Sequence, residues 1–226
     1  MNIFSKLKND VCSAGRSMIE MLGVLAIVGV LSVGGIAGYS KAMTKFKVNK
    51  LIEEYNMLIT GLIEYKSSFP TQNDKGKDFD LAETIIALNL VPETWKVFNE
   101  AYLTDSQGNL VNARSFQAEK YGGVVIDFNL GGLTSDENGN LMSSSFLNDL
   151  CFEMFNTLIY PLRNGLIMGR VFKSGSSDNI RYYNTSYCGE NSGNDIKCLN
   201  DLKLSDIKRE CDACDGKRRC NVTIVF

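Results

Sequence analysis

Gly15-Arg-Ser-Met-Ile-Glu20, followed by MLGVLAIVGVLSVGGIAGYS at positions 21–40, is the stretch whose reading decides the fold. No charged side chain occurs between positions 21 and 40, and Ser32 and Ser40 are the clearly polar ones. About 20 residues at a rise of about 1.5 Å each cover roughly 30 Å, the thickness of a bilayer's hydrocarbon core. Backbone amides in that core need partners within the segment, which requires a helix. Its glycines would weaken a lone helix in water. In lipid they let neighbouring backbones come close, and Gly34 and Gly38 have small-xxx-small spacing, with Gly29 further back on the segment. Glu20 stands at the margin of this run. A carboxylate there either snorkels to the headgroups or meets a partner.

The apolar pattern continues beyond position 40. Tyr39, Met43, Phe46, Leu51, Tyr55, Leu58, Leu62 and Tyr65 recur at helical spacing with Lys and Glu between them, and Ile52, Ile59 and Ile63 widen the stripe. Pro70 ends it, since proline disfavours helical geometry at Phe69. One helix over 16–69 is expected, its lower half crossing a membrane and its upper half forming a core spine. Residues 71–77 read as a polar turn. A short helix is expected over 81–90, with Asp80 as N-cap and Pro92 closing it. A hairpin should turn at Asp105-Ser-Gln-Gly-Asn109, and positions 121–130 give the clearest strand. Residues 131–140 read as loop. An amphipathic helix is expected over 146–162, and further strands over 166–172 and 221–226. A spine helix followed by a second helix and several strands defines an α+β fold with an antiparallel sheet on the spine.

The chain has 226 residues, enough for one anchored domain with a sizeable core. Its net charge is −2, which does not point to nucleic acid as the main partner. Histidine is absent, removing the commonest general base and metal ligand, so no enzymatic activity and no cofactor or metal is expected. Seven cysteines are present. Cys12 precedes the apolar run, whereas Cys151, Cys188, Cys198, Cys211, Cys214 and Cys220 all follow it. Six cysteines in an exported domain read as a disulfide framework, with 15 connectivities open. The expectation is Cys151 paired with Cys211, Cys214 or Cys220, and Cys188 with Cys198. The long bridge stabilises most, because it closes the longer loop.

Gly15, Arg16 and Glu20 ahead of the long apolar helix resemble the processing site of type IV pilins and pseudopilins. In that family a prepilin peptidase cuts after the glycine, the new N-terminus is methylated, and a glutamate five residues in guides assembly. The resemblance implies cleavage between Gly15 and Arg16, methylation at Arg16 and an assembly role for Glu20. Gly29 and Tyr39 also fall where many pilins have Gly and Tyr. Arg16 stands where the first mature residue is usually Phe or Met. Ala37 stands where many pilins have a helix-breaking proline, so local melting would fall to Gly34, Gly35 and Gly38. Leu90-Val91-Pro92, the Tyr121-Gly122-Gly123 strand entry, a cysteine in the second helix and one before the last strand are similar to the type IVb pilins. The layout implied is a leader over 1–15, the helix over 16–69 and an exported pilin-like domain over 70–226 with a disulfide-bearing C-terminal region.

The function implied is a structural subunit of a type IV pilus or secretion pseudopilus. It would enter the bacterial inner membrane once, N-terminus cytoplasmic, and later stand in a periplasmic or extracellular filament. Its implied partners are copies of itself, prepilin peptidase, the inner-membrane assembly platform and membrane lipid; DNA is not expected. Two alternatives use the same residues. One is a minor or tip subunit, or an anchored domain binding a surface or DNA. The other is a secreted domain released by an ordinary signal peptidase after Gly35-Ile36-Ala37.

Three further motifs favour plain readings. Asp136-Glu-Asn-Gly-Asn140 alternates oxygens as a calcium loop does, but its twelfth position is Leu147 and its glycine is misplaced, so a solvated turn is expected. Cys211-Asp-Ala-Cys214 lacks the βαβ context of a redox pair, which favours disulfides over thiol chemistry or zinc. Lys208, Arg209, Lys217, Arg218 and Arg219 are interleaved with Asp206, Glu210, Asp212 and Asp215 and have no neighbouring aromatics. A mixed-charge loop is expected there rather than a nucleic-acid surface.

Overall fold

The computed structural model describes residues 10–70, 78–117, 122–135, 137–144, 148–176, 179–188 and 196–226. The polar turn expected over 71–77, Tyr121, Asp136, Phe146 and Leu147 lie outside the described residues, as does most of the leader. The chain divides into two compact units, Met1–Lys47 and Val48–Phe226. Helix α1 (Asp10–Tyr65) supplies most of the first unit and opens the second. It runs unbroken through Gly34, Gly35 and Gly38, and a 3-10 turn (Lys66–Ser68) ends it. Phe69 is extended ahead of Pro70 (ψ 140°), as the proline requires.

Within the second unit the buried face of α1 is Val48, Leu51, Tyr55, Leu58, Ile59 and Leu62. Steps of three and four keep these side chains on one stripe, and burying each contributes about 1.5–3 kcal/mol. The expected stripe is cut at its lower end. Tyr39, Met43 and Phe46 are exposed, so the core begins only at Val48. At the upper end Ile63 and Tyr65 are exposed as well.

After α1 come β1 (Phe79–Asp80), α2 (Ala82–Ala87), β2 (Lys96–Val97), β3 (Tyr102–Thr104), β4 (Leu110–Gln117) and β5 (Gly122–Asn129). A small hairpin of β6 (Gly132–Ser135) and β7 (Leu141–Ser144) follows where loop was expected. Then come α3 (Asn148–Met154), a π-turn (Phe155–Ile159), α4 (Tyr160–Leu162), β8 (Met168–Lys173) and β9 (Arg181–Tyr183). The last elements are α5 (Thr185–Cys188), β10 (Ile196–Cys198), a 3-10 turn (Leu199–Asp201), α6 (Leu204–Asp212) and β11 (Cys220–Val225). The main sheet has the order β10-β9-β8-β11-β5-β4-β3-β2, with β1 beside β4. The class is α+β. The sheet is mixed rather than wholly antiparallel, because β10 runs parallel to β9.

Two local expectations are corrected. Asp80 does not cap α2: it lies in β1 opposite Arg114, and its carboxylate accepts from Asn112 Nδ2, so strand pairing wins over capping. Residues 204–212 form a helix rather than loop. Ile207 and Cys211 face its buried side, and the Asp206 carboxylate accepts from the Lys203 N–H at its start.

Strand alternation divides the sheet. Val111, Phe128, Val222 and Val171 make one row across β4, β5, β11 and β8, and Ala113, Ile126 and Ile224 make the next. These rows belong to the core that includes α1. Tyr55 and Phe128 pack with ring centroids 4.3 Å apart. Two glycines permit close packing here. A Cβ on Gly61 would lie 2.8 Å from Leu90 Cδ2, and one on Gly123 would overlap the Phe226 carbonyl oxygen.

A polar node ties α1 to the β3–β4 hairpin. Tyr55 Oη donates to Asp105 Oδ2 (2.5 Å), which also accepts from Asn109 Nδ2 (2.7 Å). Asp105 Oδ1 accepts the Gln107 and Asn109 N–H groups, fixing the turn. One residue earlier on α1, Glu54 Oε2 accepts from Trp95 Nε1 (3.0 Å) and Ser106 Oγ (2.8 Å). Burial first, then the Asp105 carboxylate, pushes the Tyr55 phenol well above its ordinary value.

Candidate functional site

The first unit presents an apolar helix surface. From Met18 to Lys47 every side chain is exposed, and the large apolar ones include Leu25 (63%), Val30 (74%) and Ile36 (71%). Among the described residues, α1 is the helix long and apolar enough to cross a membrane, by length and composition. A Cβ built on Gly29, Gly34 or Gly38 meets nothing within 4 Å, so these glycines leave open grooves on the helix. Glu20 is exposed on the same helix. Gly15 and Arg16 also lie in α1, and their side chains are outside the described residues. An unpaired apolar surface with small-residue grooves can take lipid or another helix.

The C-terminal region is cross-linked. Cys151 bonds to Cys211, joining α3 to α6; Cys188 bonds to Cys198, joining α5 to β10. Cys214 bonds to Cys220 and holds the chain after α6 against the start of β11. Cys211 and Cys214 are therefore partners of other cysteines and not of each other. Among the described residues no cluster of His, Cys, Asp or Glu could hold a metal ion. The basic cluster is engaged locally. Lys208 pairs with Asp212 (2.8 Å), Arg209 with Asp206 (3.0 Å), and Arg218 donates to the Gly175 carbonyl (3.2 Å).

The sheet face opposite the α1 rows holds a constellation that the sequence did not reveal. Across β4, β5, β11, β8 and β9 one row reads Asn112, Asp127, Thr223, Arg170 and Arg181. The adjacent row on that face reads Arg114, Val125, Val225, Met168 and Tyr183. Val125, Ile167, Met168, Tyr183 and Val225 form a second apolar cluster, separate from the main core. Arg114, Arg170 and Arg181 rim a cavity of about 300 Å³ over it.

The carboxylate in the row is already saturated. Asp127 Oδ2 accepts from Arg114 Nη1 (2.7 Å), and Oδ1 accepts from Asn221 Nδ2 (2.7 Å) and Thr223 Oγ1 (2.5 Å). Arg114 makes a second ion pair to Asp78 (3.0 Å). Arg170 lies over the Phe172 ring at 5.1 Å, and its buried Nε has no hydrogen-bond acceptor among the described residues. Burial holds the Arg170 guanidinium below its ordinary value. Asp127 opposes that shift, and Arg181 and Arg114 add to it.

No family model matches the chain, and no curated protein or solved structure matches it significantly.

Proposed function

We propose that the chain is a pilin-like structural subunit that enters a membrane through α1 and polymerises into a filament by packing copies of that helix. The observation that carries this reading is the state of residues 18–40 on α1: helical, uncharged beyond Glu20, exposed throughout, and grooved at Gly29, Gly34 and Gly38. Such a surface in water would expose an apolar patch far larger than a soluble monomer carries. Lipid covers it before assembly and sister helices cover it afterwards. The cross-linked α+β unit suits an oxidising exterior, which supports export of residues 48–226. Prepilin peptidase and an inner-membrane assembly platform as partners, and methylation at Arg16, belong to the same proposal through the resemblance of residues 15–40; the type IVb-like subtype belongs to it through Leu90-Val91-Pro92, Tyr121-Gly122-Gly123 and the cysteine placement. The role is structural rather than enzymatic.

Glu20 is the residue through which assembly is tested. In a low-dielectric helix bundle an unpaired carboxylate costs several kcal/mol, and pairing with the new α-amine of a staggered neighbour recovers much of it. Intact mass of the membrane-extracted protein should show a chain beginning at Arg16. Glu20→Ala should still insert and be cleaved, while the sheared filament fraction falls sharply. A mature chain beginning near Gly38 would overturn the proposal in favour of a secreted domain. Wild-type filament yield from Glu20→Ala would remove the assembly role from this residue.

A further inference from the structure

We infer that the outer face of the sheet in the second unit is a binding site for a small organic oxyanion, a carboxylate, sulfate or phosphate ester carrying an apolar body. Arg170 and Arg181 grip the anion, and Val125, Met168 and Val225 receive the body. The inference does not depend on the filament reading.

The first support is a charge that is unbalanced among the described residues. Arg170 and Arg181 sit directly opposite each other across β8 and β9, a like-charge pairing that destabilises a sheet. Arg114 brings a third guanidinium to the same cavity. The described carboxylates nearby are Asp127, whose two oxygens are occupied by Arg114, Asn221 and Thr223, and Asp78, which is exposed and paired with Arg114. Among the described residues neither Arg170 nor Arg181 has a carboxylate within ion-pair distance. An oxyanion between them supplies the acceptor that Arg170 Nε lacks and relieves the repulsion. Guanidinium forks match carboxylate and phosphate oxygens two at a time.

The second support is shape. The cavity is open and about 300 Å³, and Val125, Ile167, Met168 and Val225 stand beside the three arginines in its lining. A lining that mixes guanidinium groups with aliphatic side chains in so small a volume suits a small ligand that carries both an anion and an apolar portion. The lowered Arg170 guanidinium agrees with that picture, since a bound anion would offset the burial and the repulsion from Arg181 and Arg114 that lower it.

The test uses the full chain in detergent micelles and isothermal titration with three probes: phenyl phosphate, inorganic phosphate and benzyl alcohol. Phenyl phosphate should bind saturably at one site, more tightly than inorganic phosphate, and more weakly as salt is raised. Benzyl alcohol should show no saturable binding above that of the micelle. R170Q and R181Q should each weaken phenyl phosphate at least about tenfold, as expected for losing a charge-assisted hydrogen bond. R181K should fall between wild type and R181Q, and K208Q on α6 should bind like wild type. Thermal unfolding and a free-thiol assay report whether each variant is folded. Arg181 lies near the end of the sheet order, so R181Q remains informative if R170Q fails to fold. The inference is overturned by the absence of saturable phenyl phosphate binding, or by equal affinity for the two phosphates. Unchanged affinity in R181Q, or an equal loss in K208Q, overturns it too.

Discussion

Two buried tyrosines offer a controlled comparison, because the same atom can be removed from two different settings. Tyr55 and Tyr182 are both fully buried. The Tyr55 hydroxyl donates to the Asp105 carboxylate at 2.5 Å, whereas Tyr182 Oη makes no well-formed hydrogen bond among the described residues and has the Arg209 guanidinium as a polar neighbour. In Tyr55→Phe the Asp105 carboxylate keeps its bonds from Asn109 Nδ2 and two backbone amides, so no charge is orphaned. The loss is one hydrogen bond to a charged group, about 1.5–3 kcal/mol. For a folded unit of this size that corresponds to a fall in Tm of about 3–12 °C. Tyr182→Phe removes a hydroxyl that makes no well-formed bond and has only the Arg209 interaction to lose, so its effect should lie within about 1 kcal/mol of neutral. Urea unfolding of the oxidised full chain in detergent, followed by near-UV circular dichroism, gives both values. Equal destabilisation by the two changes would refute the reasoning, since it would show that ring packing rather than the hydroxyl's partner decides the cost.

Three other outcomes follow from the same contacts. Replacing Cys151 and Cys211 together by serine should cost about 4 kcal/mol in the chain-entropy account, because 60 residues separate them. The same change at Cys188 and Cys198, 10 apart, should cost roughly 2.5–3 kcal/mol, and the reverse order in denaturant melts would contradict the loop argument. Gly123→Ala should destabilise by about 1–3 kcal/mol or more, since its Cβ meets a backbone oxygen that no rotamer change can move; an unchanged Tm would show that β11 shifts freely. For alkaline pH the sign comes from raised phenols: Tyr55 and Tyr182 both favour the neutral form in the folded state, mainly through burial. Their contribution is complete below the unfolded tyrosine value of about 10 and is lost as pH rises beyond it. Each tyrosine contributes a slope of up to about 1.4 kcal/mol per pH unit. Unfolding free energies between pH 9 and 11 should fall, less steeply for Tyr55→Phe, and a flat profile would be the contrary result.

Elements with strong local patterns were legible in the sequence. The uncharged run and the stripe from Leu51 to Leu62 announced α1, and the apolar strands β5, β8 and β11 were readable because both of their faces carry buried residues. Where the pattern was read too far, the chain's division explains it: Tyr39, Met43 and Phe46 follow the helical period but belong to the unit in which no described side chain is buried. Helix α6 was hidden by composition. Its exposed Lys208, Arg209 and Asp212 outweigh the buried Ile207 and Cys211, so a charge-rich segment resembled loop. The strands β1, β2, β9 and β10 have two or three residues each, too few to show alternation.

The arginine cavity was hidden for a different reason. Alternation along positions 166–172 puts Arg170 on the face opposite Val171, and that much is local. That Arg181 stands opposite Arg170, and that Asp127 and Thr223 complete the same row, depends on the order β5-β11-β8-β9 and on register. In that order the strand latest in sequence, β11, lies between β5 and β8, so neighbours in the row can be almost 100 residues apart, as Asp127 and Thr223 are (separation 96). A slip of one residue in β9 would replace Arg181 by Tyr182 in the row and turn the charge to the other face. Residue types therefore announced the first unit's surface, while only the pairing register made an anion site from three scattered arginines. The Cys188–Cys198 bridge holds α5 to β10, beside the short β9 strand that carries Arg181, which ties the oxidised state of the domain to the geometry of that site.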